Sequence, residues 1–402
     1  MNKSYLNIAD KISEDARNWI KQFEIIAPAE MQKRKKNTYK AKNIIITVLS
    51  IFIKPKFSDG KYLYIFQGIK NSEYMKIFNP ESVVVVGSNL ERDFAKIHGY
   101  NFYWASPIER AIYFKIYKNW NFFIIKQIKY WIEVLFKYEK IIIFLCEDTQ
   151  PIGCYFVNIG KILKSSVTSV CIQHGYFHNQ SHRCDGVLSD VNFVWELNQV
   201  SVIGCNRSKS FEIGLPYVAT AKSTSKLVVV LVGVGTSGED MEEYEKSIDA
   251  YSQIYTVLRN STDLNIFYRP HPSEWSNETI ISNLRKRLPN LDDIDKVARL
   301  NGSKVIFIGT WSSLLYEAGV AGHFVVYLKL NTELRPDFKY DLSFEYANIN
   351  NLIKWIWHIE SYKLTVAETN NVNQISPLGR FYRALQSAKL IFNGNIKYHN
   401  HN

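Results

Sequence analysis

The run Leu227-Val228-Val229-Val230-Leu231-Val232 is the strongest strand signal in the chain, and its surroundings constrain the fold. Six branched aliphatic residues with no polar alternation read as a strand buried on both faces, the habit of parallel sheets covered by helices. The segments after it alternate in kind: a helix over about 240–258, a strand over 264–268, a helix over 277–288, a strand over 304–308, a helix over 313–321 and a strand over 324–328. Strand and helix alternating at these lengths predict an α/β fold with a parallel sheet. The first half carries the same rhythm less clearly. Strands are expected over 82–87, 100–104, 140–146, 168–173, 192–195 and 211–215, with two further apolar runs at 43–53 and 62–66. Helices are expected over 8–26, then after a basic loop over 90–98, 107–138 and 153–163.

At 402 residues the chain exceeds one typical core. Residues 216–226 (PYVATAKSTSK) are small, polar and aperiodic, and read as a linker. The expected organisation is an acceptor-binding α/β domain over 1–215, the linker, a nucleotide-binding α/β domain over 227–375, and a C-terminal helix and tail over 376–402 that can fold back on the first domain. A hydrophobic content of 46% excludes a disordered chain. The five cysteines follow no metal-ligand spacing and read as reduced thiols. The N-terminal stretch has no apolar h-region, and the longest uncharged apolar run, 44–53, falls short of the roughly 20 residues of a membrane span. A soluble, cytoplasmic protein is the expectation.

The net charge of +11 is concentrated in the first half. The stretch from Phe114 to Lys140 interleaves lysines and aromatics at helical spacing. Three readings are open for it: an amphipathic helix whose lysine stems cover a sheet, a helix on an anionic membrane surface, or a nucleic-acid surface. No helix-turn-helix, zinc-finger or RNP-type pattern supports the last, and no nucleic-acid partner is expected.

Two polar segments come after strands of the second half. Tyr268-Arg269-Pro270-His271-Pro272-Ser273-Glu274 comes after the strand ending at Tyr268. Gly309-Thr310-Trp311-Ser312-Ser313 comes after the strand ending at Ile308 and opens a helix that carries Glu317. Ligands of open α/β sheets bind at the carboxyl ends of strands, and helix starts bind phosphate. A histidine and a hydroxyl-rich helix start on neighbouring strands therefore predict a site for a phosphate-bearing donor. The flanking prolines stiffen the loop around His271, which can give a hydrogen bond or a proton to a departing phosphate. Glu274 either caps the next helix or holds the imidazole. Thr310, Ser312 and Ser313 can each cap the helix and grip an anion, and Glu317 either accepts ribose hydroxyls or compensates the helix dipole. The glycine-rich Gly233-Val234-Gly235-Thr236-Ser237-Gly238 offers close backbone approach to a donor but matches neither the P-loop nor the dinucleotide fingerprint. In the first half, Glu147-Asp148 at a strand end suits a general base for an acceptor hydroxyl, or Asp148 an N-cap. His174 in Gln173-His174-Gly175 is a second candidate.

These residues resemble a GT-B glycosyltransferase of bacterial surface-polysaccharide synthesis, in the group using CMP-activated acidic sugars: sialyltransferases, polysialyltransferases and Kdo, legionaminic or pseudaminic acid transferases. That group carries an HP motif and a serine pair, matched here by His271-Pro272 and Ser312-Ser313, 41 positions apart. It also carries an acidic motif, for which Glu147-Asp148 is in a comparable place with Thr149 where glycine is frequent. The Gln173-His174-Gly175 and Arg269–Pro272 strings are similar to CDP-glycerol phosphotransferases as well. The resemblance spans about 140–325. It implies two Rossmann-like domains whose parallel sheets face a cleft. It implies transfer of a sialic acid-like nonulosonate or Kdo from CMP to a glycan or lipid-linked acceptor, in capsule, O-antigen or lipooligosaccharide synthesis. His271 would stabilise the leaving CMP phosphate. Arg269, Pro272, Gly233, Gly235, Thr236, Ser237, Thr310, Ser312, Ser313 and Glu317 would line the donor site, and Glu147, Asp148 or His174 would supply the base. No cofactor or metal is expected, because a nucleoside monophosphate leaves with less charge than a diphosphate. Peripheral contact with the anionic inner face of the inner membrane would bring a lipid-linked acceptor within reach. Polyol phosphotransfer and a non-catalytic nucleotide- or glycan-binding role are the alternatives.

Overall fold

The structure, a computed structural model, describes residues 2–26, 28–38, 40, 44–45, 48, 57, 60–163, 166–175, 188–215, 227–233, 241–275, 277–288, 304–310, 312–320, 323–329, 342–345, 349–362 and 376–391. The described residues form two compact units. One holds those up to Gly175, those from Leu188 to Leu215 and those from Ser376 onward; the other holds those from Leu227 to Tyr362.

The first unit is built on seven parallel strands: β1 Tyr62–Gln67, β2 Val83–Gly87, β3 Asn101–Trp104, β4 Lys140–Leu145, β5 Val167–Ile172, β6 Val191–Val194 and β7 Ser210–Glu212. Their order in the sheet is β3-β2-β1-β4-β5-β6-β7. The chain runs outward from β1 to β3, then returns to place β4 on the other side of β1. That reversal between β1 and β4 is the topological switch point, where α/β sheets bind ligands at the carboxyl ends of the strands.

Burial explains why these segments are strands. Ile141 to Leu145 are buried without interruption, which needs cover on both faces. On one face Leu63, Ile65, Val84, Val86, Ile141 and Ile143 share a core with Ala9, Ile12 and Ala16 of helix Asn2–Ile26, and with Ile112, Trp131 and Phe156 of three later helices. On the other face the contacts are aromatic. Tyr64 stacks on Phe78 at 4.0 Å and Phe66 on Phe144 at 4.5 Å. The C-terminal helix Pro377–Ser387 belongs to this face. Its Phe381 stacks on Tyr74 at 4.1 Å, and the Arg380 guanidinium donates to the Ile213 and Leu215 carbonyls at 2.8 and 2.9 Å.

Two expectations from the sequence are corrected. The single helix expected over 107–138 is a pair, Ala105–Lys118 and Asn121–Leu135. Asn119 between them is left-handed at φ 55, with its N–H on the Lys115 carbonyl. Asparagine tolerates this conformation better than other side-chain-bearing residues, and the apolar periodicity on either side hid the break. The basic stretch after residue 26, expected as a loop, forms helix Pro28–Thr38. Pro28 suits a first helical turn, and the Lys, Arg, Gln and Met after it are good helix formers. Met31 anchors it against Ile20 and Tyr113.

The second unit holds five parallel strands: β8 Leu227–Val232, β9 Asn265–Arg269, β10 Lys304–Gly309, β11 Phe324–Lys329 and β12 Leu342–Glu345, in the order β12-β11-β10-β8-β9. Here the order reverses between β8 and β10, the arrangement of flavodoxin-like sheets. Helices Met241–Ser261, Glu278–Arg287 and Ile349–Tyr362 contribute Ile254, Leu258, Ile281 and Leu352 to a core with Val229, Ile266, Ile306 and Val326. β12 and the helix after it continue the alternation beyond the last strand the sequence pattern suggested. The linker expected over 216–226 lies outside the described residues. Among the described residues no helix is long and apolar enough to cross a membrane.

Candidate functional site

In the second unit the polar segments stand at the ends of three consecutive strands. His271 follows β9, Gly233 follows β8, and Thr310 with Ser312 follows β10. The histidine and the helix start are thus not on neighbouring strands, as the sequence suggested; β8 lies between them. With strands about 4.8 Å apart, their ends are separated by about 10 Å, and the switch-point end of β8 sits in the middle.

Gly233 shows how tightly this crevice is assembled. Its N–H donates to the Arg269 carbonyl at 2.8 Å. A Cβ at this position would collide with Glu274 Oε2 and would lie 2.6 Å from the His271 nitrogen. Only glycine allows the β8 end to touch the Pro270-His271-Pro272 turn.

The turn is held from within by Glu274. Its carboxylate is fully buried, accepts the Tyr268 hydroxyl at 2.7 Å and accepts the His271 backbone N–H. Glutamate three residues after a helix's first cap, reaching back to that cap's N–H, is half of a capping box. Burial pushes the Glu274 carboxyl up to about 7, against the stabilising hydrogen bonds from Tyr268, the His271 backbone and Tyr244. Burial also pushes the His271 imidazole below its ordinary range, with the positive charge of Arg269 adding to the effect. His271 is therefore neutral near pH 7, a hydrogen-bond donor beside a fixed guanidinium charge.

Ser312 caps helix Ser313–Val320: the Leu314 N–H donates to its Oγ at 3.3 Å. Thr310 is buried at the end of β10 beside Tyr251, whose hydroxyl donates to the Val232 carbonyl at 2.9 Å. Glu317 is half-buried one turn into the helix. The backbones of Pro272 and Ser313 are placed at the starts of their helices. Gly235, Thr236 and Ser237 lie outside the described residues.

In the first unit the carboxylates stand at the switch point after β4. Asp148 is fully buried, and its Oδ2 accepts the backbone N–H groups of Leu188 and Ser189, both at 2.8 Å. It does not cap helix Pro151–Ile162, whose N-cap is Gln150; it anchors the approach to β6. Glu147 meets His174, with Oε1 at 3.1 Å from Nε2. The other ring nitrogen, Nδ1, lies 2.9 Å from the Cys146 carbonyl. These two contacts fix the orientation of the ring beside the carboxylate. Gln173 fixes the backbone around this histidine, donating to the Gly175 carbonyl at 2.8 Å and accepting the Trp195 N–H at 2.6 Å. Across the switch point, Asn71 donates to Cys146 Sγ at 3.4 Å and that thiol donates to the Gln67 carbonyl at 3.3 Å.

Gly153 admits the helix after β4 against this turn. A Cβ there would collide with the Glu147 carbonyl oxygen and would lie 2.7 Å from Asp148 Cα. Both are backbone atoms, so relief requires moving the helix or the turn. Gly153→Ala is expected to destabilise the first unit by about 2 kcal/mol, read as a lowered urea midpoint. An unchanged midpoint would show that the turn yields freely.

Sequence reasoning did not reveal that His174 pairs with Glu147 or that Tyr244 and Tyr268 surround Glu274. The spacing from His271 to Glu274 was the local signal for the capping contact that holds the turn. Among the described residues no group of three or more His, Cys, Asp or Glu could hold a metal ion. His178, His182, Cys184 and Asp185 lie outside them.

No protein-family model and no curated protein sequence matches the chain. Solved structures do. A Listeria monocytogenes protein assigned as a UDP-N-acetylglucosamine 2-epimerase is similar at a TM-score of 0.54 and 13% identity, over 82% of this chain and 96% of that one. A glycosyltransferase from Rickettsia africae is similar at 0.51 and 10% identity, over 82% and 98%. The Methanocaldococcus jannaschii UDP-GlcNAc 2-epimerase, solved with UDP-GlcNAc and UDP, is similar at 0.50 and 13% identity, over 81% and 99%. Together with the two parallel sheets, this similarity shows the architecture: two Rossmann-like α/β domains of the GT-B class.

Proposed function

We propose that the chain is a glycosyltransferase that takes a sugar from a nucleotide-activated donor, with a CMP-activated acidic sugar as the donor class. The observation that carries this reading is the crevice at β9, β8 and β10, where His271, Gly233 and the Ser312-capped helix start occupy three adjacent strand ends around a switch point. A phosphate there would meet free N–H groups of a helix start, the Arg269 charge and a neutral imidazole N–H. As the bond to the sugar breaks, negative charge grows on the departing phosphate oxygen. His271 and Arg269 are the groups beside which that charge would be stabilised. On the acceptor side, Asp148 Oδ2 is engaged by two backbone N–H groups, and Glu147 with His174 is the pair assigned to take a proton from an acceptor hydroxyl. A glycan or lipid-linked saccharide is the acceptor class, the protein works in the cytoplasm, and Pro272, Ser313, Glu317 and the Gly235–Ser237 segment complete the donor side.

A uridine donor is the second reading, favoured by the similarity to a 2-epimerase solved with UDP-GlcNAc and UDP. A thermal-shift panel of CMP, CDP and UDP with their sugar conjugates separates the two. CMP and a CMP-sugar are expected to raise the melting temperature, by several degrees at a hundredfold excess over Kd. A rise with UDP alone replaces the donor class, a rise with CDP-glycerol favours polyol phosphotransfer, and no rise with any nucleotide removes the reading.

A further inference from the structure

We propose that the corner between helices Ala105–Lys118 and Asn121–Leu135, with helix Pro28–Thr38 beside it, docks on an anionic phospholipid membrane. This inference is independent of the sugar-transfer reading. At the corner the chain turns through left-handed Asn119, and Trp120 and Phe122 are 43% and 58% exposed. Neither ring is loose. Trp120 rests on buried Phe114 at 5.3 Å and on Phe123 at 6.2 Å, and Phe122 packs edge-on against Phe123 at 5.7 Å. The backing holds two large, partly exposed rings toward solvent, where the exposed apolar surface costs hydration.

The chain segment that carries these rings has charge of one sign. From Tyr113 to Ile132 the chain has four lysines and no acidic residue. Lys115 is buried and committed to Asp10 at 2.8 Å. Lys118 and Lys126 are exposed, with the Lys126 ammonium 5.7 Å from the Phe122 ring. From the basic helix, Lys35 reaches 4.4 Å above Tyr117, and Lys36 is exposed next to it. The nearby carboxylate of Glu109 is paired with Arg34 at 3.9 Å.

Tryptophan and phenylalanine settle at headgroup depth, and lysines around them are attracted to anionic lipid. A single-stranded nucleic acid needs stacking platforms spread along a basic groove, whereas these rings crowd one apex. No described helix can span a bilayer, so the contact would be a peripheral one in which the corner lies on the surface.

The test is sedimentation of the full chain with vesicles of phosphatidylcholine alone and of equal parts phosphatidylcholine and phosphatidylglycerol. Binding is expected only to the anionic vesicles and is expected to weaken with salt. Lys118→Glu/Lys126→Glu should lower it at least about tenfold, since each lysine near the surface contributes about fivefold. Trp120→Ala/Phe122→Ala should weaken it with the charge unchanged. The charge-matched control Arg207→Glu/Lys209→Glu, at exposed positions beside the far edge strand β7, should bind like the parent. Absent binding to anionic vesicles, equal binding to neutral ones, or equal loss in the control and the Lys118/Lys126 variant overturns the proposal. So does retention of a single-stranded oligonucleotide by this corner in place of vesicles.

Discussion

His271→Ala is expected to lower sugar transfer by about a hundredfold to ten-thousandfold, the range for removing a positioned proton or hydrogen-bond donor from a leaving group. The loss should fall on kcat rather than on donor affinity. Arg269 and the helix start at Ser312 remain in the variant and still hold the phosphate in the ground state, whereas the imidazole acts where charge develops. Donor turnover with a saccharide acceptor measures the first quantity, and a nucleotide melting shift measures the second. Turnover like the parent's removes His271 from the chemistry. A loss confined to nucleotide affinity makes it a binding residue only.

Glu274 should make the stability of the second unit depend on pH in an unusual direction. Its folded-state pKa is raised from the ordinary 4.5 to about 7 by burial. Between those values the folded chain keeps a proton that the unfolded chain has lost. The contribution to stability is therefore greatest at pH below 4.5 and declines as pH rises to 7, by about 3 kcal/mol in all. Ordinary salt-bridged carboxylates act in the opposite sense. Urea midpoints from pH 5 to 8 for the parent and Glu274→Gln test this: the glutamine variant should lose the decline. Parallel curves would show that the buried carboxyl does not titrate in this window. Glu274→Ala should cost about 3 kcal/mol, because the Tyr268 hydroxyl and the His271 N–H lose their shared acceptor in a site closed to water. It should also loosen the turn that aims the histidine.

Much of the second unit was legible because its strands advertise themselves. The runs that became β8, β9 and β10 are mostly apolar and are followed by turn-forming residues, so their boundaries came within a residue or two of the observed ones. Ser312 as a helix cap was equally readable, since capping depends on a hydroxyl and the two or three residues after it. The break at Asn119 was not readable, because one left-handed residue interrupts neither hydrophobic periodicity nor composition. The same holds for helix Pro28–Thr38, whose buried Met31 gains its value from Ile20 and Tyr113 on two other helices.

The site residues divide in the same way. That His271, Ser312 and Glu147 stand at strand ends follows from local sequence, because a strand's end is set by where apolar residues stop. That β8 lies between β9 and β10 does not follow from it, and it decides that Gly233 rather than open space separates the histidine from the helix start. The partners of the two adjacent carboxylates likewise come from a distance. Asp148 is taken by the backbone at Leu188 and Ser189, and Glu147 by His174. By itself the sequence determined the kinds of element and the chemistry placed at each strand's end, through periodicity and caps that act over a few residues. Tertiary structure alone decided which of those ends share a crevice and which polar groups remain for a ligand, because strand order and buried hydrogen bonds join residues that no local pattern connects.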